Sequence, residues 1–169
     1  MTQNTILALL VSSMVSLPAL AEVKIGYVDM QKAIQETAAG KKAKKELEDE
    51  FNKKKKDLEK KEADIKKMHE DFEKRSMAMN EDARLKKQNE IRGEMGKYQE
   101  NAAKAQMEIQ KKERELTQPI VTKLRTLIDE IAKKEDLTVV LEKAENSVMW
   151  AKKDIDLTDR IVKAYDGKK

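Results

Sequence analysis

The chain has 169 residues, and 36 Lys and Arg against 32 Asp and Glu make it 40% charged with a formal net charge of +4. Ordinary globular domains run at roughly 25% charged, so a large apolar core is excluded and an ordinary single-core enzyme is disfavoured. No Cys and a single His remove disulfides, thiolate metal sites and His-rich metal sites, leaving an elongated helical protein, a disordered polyampholyte or a mixture of the two.

Residues 1–21 read as a signal peptide. Ile6 to Leu17 is apolar and uncharged, Pro18 follows, and Ala19-Leu20-Ala21 gives the A-x-A pattern that places cleavage before Glu22. The run falls short of the about 20 apolar residues a membrane span needs, and no later segment approaches that length. No Lys or Arg precedes the run, so the usual positive n-region is missing, and a buried N-terminal helix is the competing reading.

Val23 to Val28 is rich in β-branched and aromatic residues and predicts a strand. Leu137–Leu141 is a second candidate and Val148–Ala151 a third, with Ala144–Ser147 as the turn between them. A closing helix is predicted after Asp156, which would cap it with Asp159 three residues on as in a capping box. Leu157, Ile161 and Val162 would face one side of that helix. Between Met30 and Asp136 the chain is dominated by Lys, Glu, Ala and Gln, all good helix formers.

That middle has a heptad rhythm. Phe51, Leu58, Ile65, Phe72 and Met79 stand seven apart, with Leu47, Lys54, Lys61, Met68 and Arg75 as companions. The stripe resumes as Ile91, Met95, Tyr98, Ala102, Ala105, Ile109, Leu116, Ile120, Leu124, Leu127 and Ile131. Residues 76–82 suit a reversal, with Asn80 or Asp82 as cap of the returning helix. A single helix of about 105 residues would reach roughly 160 Å; a hairpin would have arms of roughly 70 Å each. A two-strand pair is marginal in water, and the first strand needs partners beyond Asp136. The hairpin brings them together and is preferred.

The fold class is therefore mainly α with a small β body. Residues 22–30 and 136–169 form the body, and residues 31–135 a helical hairpin arm with its tip near 76–82. Ile25, Tyr27, Val28, Val139, Leu141, Val148, Trp150 and Ile161 are the candidate body core. Such a core is thin for independent stability, so sharing strands between subunits is expected.

Catalysis is the weakest reading. His69 lies beside the heptad stripe, and a solvated helix-surface histidine is the simpler account because no partner constellation is apparent. Gly40-Lys41 and Gly96-Lys97 lack the first Gly and the Ser or Thr of a phosphate loop. No cofactor or metal is indicated. Lys41 to Lys67 holds twelve Lys against eight acidic residues, including Lys53, Lys54, Lys55 and Lys56. The interspersed acids and the lack of stacking aromatics argue against nucleic acid. A field that attracts acidic polypeptides or anionic lipid headgroups fits better, beside plain solubility. Met68, Phe72, Met77 and Met79 gather at the tip, where flexible Met suits contact with varied partners; closing the end of the seam is the simpler role and is preferred. Pro119 is expected to kink the return arm, and Gly93 and Gly96 to weaken it. Lys54, Lys61 and Arg75 on the seam point the same way, toward arms built to bend.

Lys24-Ile25-Gly26-Tyr27-Val28-Asp29-Met30, the long Lys/Glu hairpin, Leu137–Leu141 and the closing Asp154-Ile155-Asp156-Leu157-Thr158 together resemble the Skp/OmpH family of periplasmic chaperones. The resemblance covers the whole chain after residue 21; its end motifs are moderately specific and its middle is low in complexity. It implies a homotrimer with a β-barrel body and three helical arms enclosing a cavity. It also implies ATP-independent holding of unfolded outer-membrane proteins in the periplasm. Family members are associated with lipopolysaccharide as well; no motif for it is found here, so that function is not carried over, and anionic lipid or lipopolysaccharide stands only as a partner the basic surplus would attract. A coiled-coil spacer of the cell envelope is the competing function, and a basic coat for anionic polymers a third.

Overall fold

The computed structural model describes residues 23–144, 148 and 150–167. The order is strand β1 (Ile25–Val28), helix α1 (Met30–Glu36), helix α2 (Ala38–Arg75), a 3-10 turn (Ser76–Ala78), helix α3 (Glu81–Lys134), strand β2 (Val139–Glu142), a second 3-10 turn (Lys153–Ile155) and helix α4 (Thr158–Gly167). The signal-peptide reading falls on residues outside this description.

β1 and β2 pair in parallel, with Ile25 opposite Val139 and Tyr27 opposite Leu141. Parallel strands need a crossover between them, and here the whole hairpin is that crossover. α3 ends in a Schellman motif. Leu137 N–H donates to the Ala132 carbonyl at 2.9 Å and Asp136 N–H to that of Lys133 at 3.4 Å. Asp136 takes the left-handed position at φ 55°, which Asp tolerates better than most residues. The chain then leaves beside β1: Thr138 N–H donates to the Lys24 carbonyl at 2.8 Å, and Lys24 N–H donates to Thr138 Oγ1 at 3.1 Å.

The core lies where the sheet, α1, the start of α2, α4 and the lower end of α3 meet. Val28, Ala33, Ala43, Ile120, Leu124, Leu127, Leu157 and Ile161 form it. Its bulk is thus helical, and the expectation that strands and a closing helix would supply it is corrected. The heptad stripe of α3 simply continues past the arm into the body. One sheet face, carrying Val28 and Val140, packs on this core. The other carries Ile25, Val139 and Leu141, all exposed.

Three further expectations change. The helical middle is interrupted at Thr37, which is fully buried. Thr37 Oγ1 donates to the Ile34 carbonyl and accepts from Gly40 N–H, both at 3.0 Å. α1 therefore belongs to the body, and the outgoing arm is a 38-residue helix of about 57 Å. Asp156 does not cap the closing helix from its N-cap position; it stands one residue further out, accepting from Thr158 N–H at 2.9 Å. Asp159 completes no capping box and instead receives Lys32 Nζ at 2.8 Å. Pro119 sits exposed inside α3, which runs unbroken through it from Glu81 to Lys134. Val148, Trp150 and Ala151 are not in a strand, Met149 and the turn residues 145–147 lie outside the description, and the free edge of β1 is met instead by a parallel bridge from Tyr27 to Asp156.

Candidate functional site

The arm is α2 packed against the upper part of α3. The reversal falls where the sequence placed it: Asn80 caps α3 by accepting from Ala83 N–H at 2.9 Å, and Glu81 and Asp82 supply acid in its first turn, as the helix dipole favours.

Near its root the arm is cross-tied by ions. Lys112 pairs with Glu46 across the seam at 2.6 Å. Lys54 bonds Glu108 across the seam and Glu50 on its own helix at 3.6 Å. The hydrogen bond from Lys54 holds the Glu108 carboxyl below its ordinary range, and Lys112 does the same to Glu46. Lys54 is itself pushed up, chiefly by Glu108. This basic rung is therefore bridged, and the expectation that it weakens the seam is corrected. Lys61 and Arg75, nearer the tip, are exposed.

From the Lys54–Glu108 tie toward the tip the seam opens. Small Ala102 and Ala105 on α3 face Phe51 and Leu58 on α2, and with Tyr98 and Ile109 they floor a groove of about 280 Å³ walled by Lys54, Lys55, Glu59, Glu62 and Gln106. Phe51, a regular heptad position, is left 53% exposed. Sequence reasoning saw the stripe but not the groove; the alanine pair opposite two large residues is the signal that would have found it.

At the tip, Met68, Phe72 and Met79 are half-buried, as residues that close a seam should be, whereas Met77 is 98% exposed. Leu85, Met95 and Met107 are also exposed large apolar side chains, and none of them was singled out as a contact. Their spacing of ten and twelve residues strings them along roughly 33 Å of α3 rather than gathering them in one patch. Of the four lysines in the run 53–56, Lys54 and Lys55 are paired, the latter with Glu59 at 3.7 Å. Gly93 and Gly96 are exposed, with nothing within 4 Å of where a Cβ would stand. Packing therefore does not require them, and what they contribute is a weaker helix. His69 is exposed and lies 3.6 Å from Glu73 on the same helix face.

In the body, Tyr27, Val28 and Ile161 are buried as expected, while Ile25, Val139, Leu141 and Trp150 are exposed, the last at 79%, and Val148 is half-buried. The Tyr27 hydroxyl donates to Asp156 at 3.0 Å. Burial first, and then that bond, raises the tyrosine pKa. Burial works to raise Asp156 as well, but bonds from Thr158 and Tyr27 hold it below the ordinary carboxylate range. Among the described residues no cluster of ligating side chains could hold a metal ion, and no helix is long and apolar enough to cross a membrane.

A strand pair at one end, a long charged hairpin and a closing helix are an uncommon combination, and the family model of OmpH-like outer membrane proteins matches residues 24–165. The chain belongs to that family. A crystal structure from Caulobacter crescentus, described as a candidate outer membrane chaperone of the OmpH-like type, superposes with a TM-score of 0.75 at 17% identity, over 88% of this chain and 87% of that one. At that identity the likeness shows the fold. No curated protein matches the chain.

Proposed function

We propose that this OmpH-like protein is an ATP-independent holding chaperone of the periplasm. In this reading it is exported with cleavage before Glu22, and it keeps unfolded outer-membrane β-barrel chains from aggregating. The observation that carries the reading is the scatter of exposed large apolar side chains along a highly charged arm: Phe51, Met77, Leu85, Met95 and Met107. A specific docking protein gathers such residues into one patch. Dispersed singly, they give many weak contacts, which suits clients that differ in sequence and allows release without an energy source. Membrane strands expose alternating apolar residues and unpaired edges, and the groove over Ala102 and Ala105 offers such a segment an apolar floor. Met68, Phe72, Met77 and Met79, with the Lys53–Lys56 run, are the proposed client contacts; Gly93, Gly96 and Pro119 give the arm its bend.

The exposed sheet face of Ile25, Val139 and Leu141, together with the exposed Trp150, supports self-association, which the resemblance makes a trimer around a shared β-barrel. The cross-seam ion pairs favour a second reading, a stiff coiled-coil spacer.

The two part on client breadth. Several unrelated outer-membrane barrels, unfolded in urea, are diluted into buffer with and without the protein, free of nucleotide, and turbidity is followed. Suppression for all of them is the expected result. Suppression of none hands first place to the spacer.

A further inference from the structure

We propose that the last turn of α4 is a clasp that holds the two roots of the arm together and so sets the angle at which the arm leaves the body. α2 begins against the usual electrostatic rule. It has no acid in its first turn, while Lys41, Lys42, Lys44 and Lys45 crowd the end where the helix dipole is positive. The missing anion comes from 128 residues away. Both carboxylate oxygens of Asp166 accept from Ala38 N–H, the first free donor of α2, at 3.0 and 3.3 Å.

The neighbouring residue grips α3 where that helix passes through the body, between the core residues Ile120 and Leu124. The Tyr165 carbonyl, at the negative end of α4, accepts from Lys123 Nζ of α3 at 3.1 Å, and the same ammonium lies 4.2 Å over the Tyr165 ring. Two consecutive residues thus reach the root of each arm helix. The far end of α4 is fixed, since Leu157 and Ile161 are buried in the core. The joint it grips is tightly built as well. A Cβ on Gly40 would stand 1.6 Å from the Ile34 carbonyl oxygen, so the backbones of α1 and α2 touch there. Without the clasp, the first N–H of α2 loses its anion and α3 loses its polar tie at Lys123. The packing of Ala43, Leu124 and Leu127 in the core and the Arg160–Glu135 pair remain, so the arm is loosened at its root and not detached.

The test measures angle and does not depend on client binding, so its failure would leave the holding function standing. The chain has no cysteine, so Ala78→Cys at the tip and Lys152→Cys in the body accept spin labels cleanly. Doubly labelled subunits are diluted into excess unlabelled protein and the intramolecular distance distribution is recorded. Asp166→Ala is expected to broaden it roughly twofold, the behaviour of a released hinge. Asp166→Asn, which keeps an acceptor oxygen, is expected to stay close to the parent. An Asp166→Ala protein with parental helicity and an unchanged distribution would overturn the proposal. If Asp166→Ala does not fold, Lys123→Ala decides: broadening supports the clasp and an unchanged distribution ends it.

Discussion

Body and arm are built from the same helical stripe under opposite rules. In the body, Leu124, Leu127 and Ile120 of α3 are buried against α1, α4 and the sheet. Some fifteen residues earlier, the same stripe offers Ala102 and Ala105 and leaves a groove. The body is apolar and tight; the arm is thin, ion-tied and studded with unpartnered apolar side chains. One continuous helix can therefore anchor a fold and present a yielding surface, provided the change falls within the helix and not at a domain boundary.

That contrast can be broken most forcefully in the body. Leu124→Ala or Ile161→Ala removes a fully buried side chain and is expected to cost about 2–5 kcal/mol, read by urea unfolding. Leu58→Ala, half-buried over the groove, is expected to cost well under half as much. Equal losses would erase the distinction.

The glycines sharpen it next. Gly40→Ala drives a Cβ into the Ile34 carbonyl and is expected to lose on the order of 3 kcal/mol. Gly93→Ala and Gly96→Ala enter open space inside a helix and are expected to gain about 0.5–1 kcal/mol each. Those two variants should also stiffen the arm, with slower hydrogen exchange around residue 95 and weaker holding of unrelated clients. Unchanged holding would take Gly93 and Gly96 out of the proposed function.

How much of this was legible in the sequence follows the same division. The strands at 25–28 and 139–142, the reversal and its Asn80 cap were readable because alternation, heptad spacing and capping residues are local signals. The break at Thr37 was not, because Gly40 read only as a failed phosphate loop; its reason is a backbone contact with Ile34 that exists only once α1 and α2 are folded together. Asp159 looked like the partner of Asp156 because capping boxes are three residues long, and it was Lys32, 127 residues away, that claimed it. The acid for α2 was likewise supplied from the other end of the chain. On the arm, the heptad stripe named the seam but could not say that Lys54 would be bridged by Glu108 or that Phe51 would stay half outside.

A smaller effect concerns pH. Glu46 and Glu108 are held below the ordinary carboxylate range by Lys112 and Lys54. Depressed folded values mean that these ties contribute above the unfolded glutamate pKa of about 4.3 and are lost as pH falls through the lower folded values. Exchange at the arm root is expected to be level from pH 8 to 5, after correction for its intrinsic rate, and to rise in stronger acid. A rise already near pH 6 would assign it to another group. The smallest change expected is from Met77→Ser, which leaves stability untouched because the side chain is exposed, and reports through client affinity alone.

The central claim is that copies join through the body so that their arms can hold a client. Light-scattering mass tests it directly, measured on the purified protein alone and after a urea-unfolded outer-membrane barrel is diluted into it. The account requires a trimer that keeps its own mass and takes up one client chain. A monomer that leaves the client to aggregate would contradict it.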